Sequence, residues 1–307
     1  MSFEELDQYY EYLQEEKSEH TFRSYKYAIN NFVDFFNIKN MSDLSAVQTG
    51  NVLKWRSSFI NGKDEEEISK SKNSANSRMR PIKAFFNWLI DHEYCDKNPC
   101  QKIKPYKIAK VMRVYATTEE RDKMINSCSY LQSELILSMA FYLGLRRDEI
   151  SKIKIKDIHN DMILIHGKGS KERSLPLNSF LLNLIDQHLK NRRDDCEYLF
   201  VSSKNGFSNK FKDGEYHPIS GEAIRQIVKH AAIKSNIDDK EKIDKIAPHT
   251  CRRSFAVYMA QESKANAFQI SKSLGHEDIK TTQIYLSGAG AEIAKKEILS
   301  LREPVEA

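Results

Sequence analysis

The fold class of the second half of the chain is decided by residues 162–177, which read MILIHGKGSKERSLPL. Apolar runs at Met162–His166 and Arg173–Leu177 lie on either side of a charged, glycine-containing turn at Gly167–Glu172, a pattern that predicts a β-hairpin. The turn is not a Walker loop, because the GxxxxGK[ST] spacing is absent. The other patterns nearby are helical, so we expect a mixed α+β second domain that is mostly helical and contains a small hairpin or sheet.

Apolar residues at helical spacing predict helices on both sides of this hairpin. On its N-terminal side, Thr117 or Thr118 followed by Glu119 and Glu120 indicates a capped helix start. On its C-terminal side, we predict helices at residues 179–192, 221–235, 249–263, 267–274 and 279–286, and an amphipathic segment at residues 291–301.

The first part of the chain predicts a compact bundle of four or five helices. Residues 3–16 form the first predicted helix, Ser18 begins the second, and residues 42–59 form the third. We predict a polar loop at Gly62–Asn76 and a fourth helix that begins at Ser74 or Asn76 and ends near His92. Asn98-Pro99 then stops helical structure.

The length and composition indicate two folded domains. A chain of 307 residues is longer than one hydrophobic core usually covers, and 40% hydrophobic residues argue against disorder. Residues 102–114 carry basic but no acidic side chains, which is typical of an exposed, extended connection. We therefore expect domains at residues 1–106 and 115–307, joined by a linker at 107–114.

The distribution of charge says more than the net charge of +5. Residues 68–90 contain no acid but several cations, and they directly follow the acidic stretch Asp64–Glu67. Such a basic patch is what an element facing phosphate groups requires, although a solvated helix face is an equally good reading. The cations of this patch are Lys70, Lys72, Arg78, Arg80 and Lys83.

The sequence predicts a cytoplasmic protein without a metal or other cofactor. The acidic N-terminus lacks the apolar core of a signal peptide, and the longest apolar run, Leu135–Leu145, is too short to span a bilayer. The five cysteines do not form a disulfide pattern. His92, Cys95 and Cys100 lack a fourth partner at a spacing typical of zinc sites.

A set of cations and one phenol, spread over the second domain, suits phosphodiester transfer without a metal. Arginine forks match two non-bridging phosphate oxygens, and lysine or histidine can move the protons. Tyrosine is a poor nucleophile until nearby cations favour its phenolate. The candidate catalytic residues are Arg146, Lys168, His249, Arg252, His276 and Tyr285, with Glu149 three residues after Arg146 on the same predicted helix face.

These residues occur in motifs that together resemble the tyrosine recombinase, or phage integrase, family over nearly the whole chain. The matching motifs are Gly144-Leu145-Arg146 followed by Glu149, Gly167-Lys168-Gly169, His249-Thr250-Cys251-Arg252, Leu274-Gly275-His276, and Thr281-Thr282-Gln283-Ile284-Tyr285. The N-terminal bundle resembles the DNA-clamping, SAM-like core-binding domain of this family. The absence of an additional N-terminal domain resembles the short, two-domain Xer type.

The resemblance implies a site-specific recombinase that cleaves and rejoins DNA strands through a 3′-phosphotyrosyl bond at Tyr285. Arg146, Arg252 and His276 would hold the scissile phosphate, Lys168 would protonate the leaving 5′ oxygen, and His249 would assist deprotonation of Tyr285. Glu149 would brace Arg146 or His249. In the small domain, the side chains implied to face DNA are Arg23, Lys26 and the cations of the basic patch.

The resemblance also implies double-stranded DNA with specific recombination sites as the partner. Four copies would assemble on two DNA sites and exchange strands through a Holliday junction, in Xer-like resolution or in integration and excision of a mobile element. The segment 291–301 would dock on a neighbouring copy, or else pack on its own subunit. The alternatives are a type IB topoisomerase-like enzyme that relaxes supercoils, and a non-catalytic DNA-binding regulator with the same fold.

Overall fold

The computed structural model describes residues 3–62, 64–108, 114–167, 171–204, 207–208, 215–263, 265–275, 278, 282–283 and 286. The chain divides into two compact units, residues 1–111 and residues 112–307.

The first unit is a helical bundle, as predicted. Ser18 caps its second helix by accepting a hydrogen bond from the backbone N–H of Thr21. The core is rich in aromatic rings, with Phe32 packed edge-on against Trp55 and Phe86. The helices are α1 (Glu4–Glu16), α2 (Glu19–Phe36), α3 (Met41–Ser45), α4 (Thr49–Ser57) and α5 (Glu65–Asp91).

The predicted polar loop at residues 62–76 is wrong, because α5 already begins at Glu65. The Asp64 carboxylate accepts a hydrogen bond of 2.8 Å from the backbone N–H of Glu67 and so caps the helix. The acidic residues that resembled a solvated loop instead occupy the first turn, where negative charge stabilises the positive end of the helix dipole.

The predicted single helix at residues 42–59 is also wrong, because the chain forms α3 and α4 with a break between them. Gln48 adopts an extended conformation at the break. Its backbone N–H donates to the Asn51 side-chain oxygen at 2.9 Å, so a new helix start is satisfied there.

The segment after α5 packs back on the first unit. The guanidinium group of Arg56 donates to the Lys104 carbonyl at 2.7 Å and lies 3.9 Å from the centre of the Tyr106 ring. Asn76 exchanges two hydrogen bonds with the backbone of Tyr106, at 2.9 and 2.8 Å. Residues 104–106 therefore belong to the first unit, and residues 109–113 of the predicted linker lie outside the described residues.

The second unit is mostly helical and contains a small antiparallel sheet, which confirms the predicted fold class. The hairpin lies where it was predicted, except that its second strand, Glu172–Pro176, is shifted by one residue from the predicted 173–177. Ile163 lies opposite Leu175, and Ile165 lies opposite Arg173. A short strand at residues 158–159 pairs with the first strand of the hairpin, so this sheet has three strands in chain order. This strand was not predicted, because two residues are too few to show periodicity. The strands are β1 (Ile158–His159), β2 (Met162–His166), β3 (Glu172–Pro176), β4 (Ser203–Lys204) and β5 (Phe207–Ser208).

Neighbouring helices of this unit pack around one helix whose central residues are all buried. This helix, α7 (Leu131–Tyr142), contains the apolar run that begins at Leu135, and its residues 135–141 are all buried. Within the described residues, no helix is both long and apolar enough to cross a membrane. The helices are α6 (Thr118–Asn126), α7 (Leu131–Tyr142), α8 (Arg147–Ser151), α9 (Ser179–Asn191), α10 (Gly221–Lys234), α11 (Lys240–Lys245), α12 (Pro248–Gln261) and α13 (Ala267–Leu274), with a 3₁₀ turn at Ile155–Asp157.

Candidate active site

Arg146 lies immediately before α8 in an extended conformation, not on the helix as the spacing predicted. Its backbone N–H donates to Glu149 Oε2 at 2.9 Å, and its Nη1 donates to Glu149 Oε1 at 2.7 Å. The Glu149 carboxylate thereby satisfies the helix start and holds the arginine side chain in one orientation. The side chain of Arg146 is 35% exposed, so part of its guanidinium group remains accessible to solvent.

Glu149 is buried and, within the described part of the chain, contacts three arginines. Arg173 on β3 donates to both carboxylate oxygens, at 3.1 and 2.8 Å, and Arg252 on α12 lies 3.8 Å away. Burial alone would raise the pKa of Glu149, but the hydrogen bonds and charge of Arg173 and the hydrogen bonds from Arg146 outweigh it and hold the pKa below the ordinary 4.5. The carboxylate is therefore charged at neutral pH.

Arg252 is fully buried and connects two turns of the chain. Its Nη1 donates to the Gly144 carbonyl at 2.7 Å, and its Nη2 donates to the Leu274 carbonyl at 2.6 Å. The arginine thus has a defined orientation before any substrate binds.

Position 144, in the turn after α7 whose carbonyl binds Arg252, requires a glycine. Its φ of +61° is costly for other residues, and an added Cβ would lie 2.6 Å from the Phe255 ring and 2.8 Å from Leu274. The glycine of the Gly-Leu-Arg motif therefore allows the chain to turn so that its carbonyl faces Arg252.

His249 lies in the first turn of α12, three residues before Arg252. Partial loss of hydration lowers its pKa below 6.5, and the positive charges of neighbouring arginines lower the pKa further, namely Arg252, Arg146, Arg253 and Arg147. At neutral pH its imidazole is uncharged and can accept a proton.

The end of α13 meets the same group of arginines. Gly275 ends the helix in the left-handed conformation, with φ of +65°. Arg146 Nη2 donates to its carbonyl at 3.4 Å, and Arg173 Nε donates to the carbonyl of Ser273 at 3.0 Å. Residues 273–275 are thus bound by Arg146, Arg173 and Arg252 directly before His276.

Three of the predicted catalytic residues, Lys168, His276 and Tyr285, lie outside the described residues, as does the predicted segment 291–301. The backbone N–H of Gly167 donates to Lys171 at 2.6 Å, which closes the hairpin at its turn. Near Tyr285, Thr282 is buried and Leu286 packs against Phe255, Ala256, Ile270 and Leu274.

Comparison with known families adds an independent finding. The model of the phage integrase family matches residues 110–291, which is more than half of the chain. The model of the phage integrase N-terminal SAM-like domain matches residues 6–93. The chain belongs to the phage integrase family. The resemblance stated from the motifs is therefore confirmed.

Individual relatives agree with the family assignment. The chain is 28% identical over 285 residues to the tyrosine recombinase XerA of Pyrococcus horikoshii, a match that covers 91% of this chain and 87% of the relative. Its fold is similar to a lambda integrase dimer bound to a COC′ core site, with a TM-score of 0.69, 16% identity and coverage of 99% of this chain and 79% of that chain. It is also similar to a lambda integrase tetramer bound to a Holliday junction, with a TM-score of 0.67, 16% identity and coverage of 89% and 76%.

Arg173 is a member of this cluster that the sequence analysis missed. It follows the Gly-Lys-Gly turn in GKGSKER, where it reads as an ordinary strand residue. The available signal was the alternation of side chains along β3, which places Arg173 on the same face as Leu175. This face is the buried one, because Ile163, Ile165 and Leu175 are buried and Arg173 lies opposite Ile165. A charged residue facing inward on a strand requires a partner.

The predicted DNA-facing cations of the first unit do not share one face. Lys72, Arg80 and Lys83 are separated by eight and three residues on α5 and so lie on the same side of the helix. Arg78 instead stacks 4.2 Å from the centre of the Phe59 ring. On α2, Arg23 pairs with Glu19 at 2.7 Å, and Lys26 lies 5.0 Å from the centre of the Tyr10 ring. The exposed side of α5 is therefore the better candidate for phosphate contacts.

A second group of cations in the catalytic unit was also missed. An open cavity of about 730 Å³ lies beside the sheet, and its lining includes Lys152, Lys154, Lys156, His159 and His166. A hydrogen bond to Asp157, together with one to Glu172, raises the pKa of His166 above 6.5. Asp157 also lines the cavity, and Lys154 pairs with Glu197 at 2.7 Å, so acidic side chains offset part of this positive charge. Within the described residues, no group of three or more histidine, cysteine, aspartate or glutamate side chains could hold a metal ion.

Proposed function

We propose that this protein is a site-specific DNA recombinase that cleaves and rejoins strands through a phosphotyrosyl bond at Tyr285. The observation that carries the proposal is the convergence of Arg146, Arg252 and residues 273–275 around the charged carboxylate of Glu149. Among the described residues, the guanidinium groups of Arg146, Arg173 and Arg252 lie against this one carboxylate, which leaves this part of the site cationic. A region of this kind stabilises the negative charge that spreads over phosphate oxygens during phosphoryl transfer.

In the proposed reaction, the phenol oxygen of Tyr285 forms a bond to phosphorus as the bond between phosphorus and the 5′ oxygen breaks. The phenol proton passes to His249, whose uncharged imidazole can accept it. Lys168 supplies a proton to the departing 5′ oxygen, and Arg146, Arg252 and His276 hold the non-bridging oxygens. The phosphotyrosyl bond conserves the energy of the broken linkage, so a second 5′ hydroxyl can reverse the reaction on another strand.

We further propose that the reaction takes place in the cytoplasm, on double-stranded DNA held by both units. Four copies would act on two sites through a Holliday junction, and the lambda integrase tetramer bound to such a junction has a similar fold. Exchange of the segment 291–301 between copies remains a prediction, and this segment lies outside the described residues.

The decisive experiment uses duplexes from the DNA that flanks the encoding gene, each nicked near a candidate cleavage position so that the cut strand is lost. An adduct that survives denaturing electrophoresis, forms at one mapped position and carries DNA on the peptide containing Tyr285 supports the proposal. Tight binding without any adduct would identify a regulator. Relaxation of any supercoiled plasmid, without dependence on a site, would identify a topoisomerase-like enzyme.

The decrease in cleavage rate at low pH should reflect protonation of His249. Because the pKa of His249 lies below the ordinary 6.5, the midpoint of the decrease in single-turnover rate on acidification, where the imidazole becomes protonated, should lie below pH 6.5. His249→Asn should remove this decrease at low pH and slow cleavage, whereas His230→Asn, at an exposed position of α10, should retain the wild-type profile. A decrease centred above pH 6.5, or one that persists in His249→Asn, would assign the titration to another group.

Lys83→Ala should weaken DNA binding without changing the cleavage rate of bound DNA. Loss of one phosphate contact should reduce the slope of log K against log salt by about 0.9 in magnitude. The measurement is fluorescence anisotropy at several salt concentrations, with Lys39→Ala, an exposed lysine between α2 and α3, as the matched control. An unchanged slope in Lys83→Ala would remove Lys83 from the DNA-facing surface.

A further inference from the structure

We infer that Arg173 is a positioning residue for strand cleavage, a role that rests on the proposed function. Its guanidinium group connects three segments of the catalytic unit. Nη1 and Nη2 donate to the two oxygens of Glu149 at 3.1 and 2.8 Å, and Nε donates to the Ser273 carbonyl at 3.0 Å. One side chain therefore links β3 both to the residue that orients Arg146 and to the end of α13.

The geometry indicates that Arg173 acts through Glu149 and not on the phosphate. Only 13% of its side chain is exposed, compared with 35% for Arg146. All three of its nitrogens are engaged with Glu149 or Ser273. A planar fork bound to both carboxylate oxygens fixes the carboxylate in position and direction, which a lysine could not do.

The packing around Arg173 explains the glycine before His276. A Cβ added to Gly275 would lie 3.0 Å from Arg173 Nη1 and 3.3 Å from its Cδ. The positive φ of Gly275 also disfavours other residues. The end of α13 can therefore approach the strand closely, and the arginine fills the space between them.

The charge balance explains how Arg173 influences the other arginines. Glu149 is charged and buried, and Arg173 supplies both a side-chain hydrogen bond and an opposite charge that keep it so. Without Arg173, the carboxylate retains only Arg146 and Arg252 as neighbouring cations among the described residues. It would then draw these two guanidinium groups toward itself and neutralise charge that the scissile phosphate needs.

The test compares Arg173→Ala and Arg173→Lys with the wild type on nicked suicide duplexes. We expect DNA affinity within about threefold of wild type and a cleavage rate lowered by about 10²-fold in Arg173→Ala, the scale for a small displacement of catalytic groups. Arg173→Lys, which keeps the charge but not the fork, should cleave at an intermediate rate. Arg225→Ala removes an exposed arginine of α10 and serves as the control.

A second substrate separates positioning from a purely structural role. A methylphosphonate at the scissile position lacks one charged oxygen, so cleavage depends less on the guanidinium groups that face the phosphate. The defect of the Arg173 variants should shrink from about 10²-fold to less than about tenfold on this substrate, since only the charge-dependent part of the barrier is relieved. An equal defect on both substrates, or wild-type cleavage by Arg173→Ala, overturns the inference.

The folding state of the variants is monitored by thermal unfolding. If Arg173→Ala fails to fold, Arg173→Lys carries the comparison of the two substrates. Failure of the proposed function has a different signature, because the wild-type protein itself would then form no adduct on the phosphate substrate.

Discussion

Tyr285→Phe is expected to abolish the covalent protein–DNA adduct while leaving DNA binding intact. Phenylalanine keeps the ring but lacks the oxygen that would attack phosphorus. The cleavage rate should therefore fall by about 10⁶-fold, the scale for loss of an enzyme nucleophile, which is below detection in a suicide-substrate assay. The measurement is the fraction of protein shifted by bound DNA under denaturing conditions.

Tyr258→Phe is the matched control, because Tyr258 is a partly exposed tyrosine on α12 in the same catalytic unit. It should form the adduct at the wild-type rate. An adduct that persists in Tyr285→Phe would transfer the nucleophile to another residue. DNA affinity of Tyr285→Phe is measured in parallel, because loss of DNA binding would by itself prevent formation of the adduct.

Arg252→Ala is expected to lower the rate of cleavage by about 10²- to 10³-fold, the scale for loss of one donor to transition-state charge. The same change removes the hydrogen bonds to the carbonyls of Gly144 and Leu274. Each buried group that loses its partner costs about 1–3 kcal/mol, so we also expect a lower free energy of unfolding. Single-turnover cleavage and urea denaturation measure the two effects separately.

Arg252→Lys distinguishes catalysis from folding. It keeps a positive charge near Glu149 but cannot bind two carbonyls and a phosphate with one planar fork, so it should be more stable than Arg252→Ala and still cleave slowly. Arg193→Ala removes an exposed arginine after α9 and should change neither rate nor stability. Normal cleavage by Arg252→Ala would show that the phosphate is held elsewhere.

Much of the site was accessible from short-range sequence patterns. The Gly-Lys-Gly hairpin is a local feature, because apolar alternation and a glycine-containing turn specify it within one continuous segment. The capped start of α6 is another, since Thr117 and Glu120 form the predicted reciprocal hydrogen bonds at 3.2 and 2.7 Å. Patterns of this kind succeed where the stabilising partners are a few residues apart.

The errors arose where one local signal had two meanings. The acidic residues after Gly62 are typical both of a solvated loop and of a helix N-terminus, and the structure has the helix. Arg146 and Glu149 were expected on one helix face, but they meet because the carboxylate caps a helix that begins after Arg146. Spacing alone does not distinguish these cases, because the same residues satisfy both.

The sequence by itself determined the family, the order of the catalytic motifs and the mostly helical class with one hairpin, since these depend on residue types and on contacts within single segments. Only the tertiary structure placed Arg173 beside Glu149 and brought Gly144, Arg252 and Leu274 together across 108 and 22 residues of chain. The reason is physical: a buried charge is stabilised by whichever distant donors the packed helices bring within about 3 Å, and no periodicity along the chain records that choice.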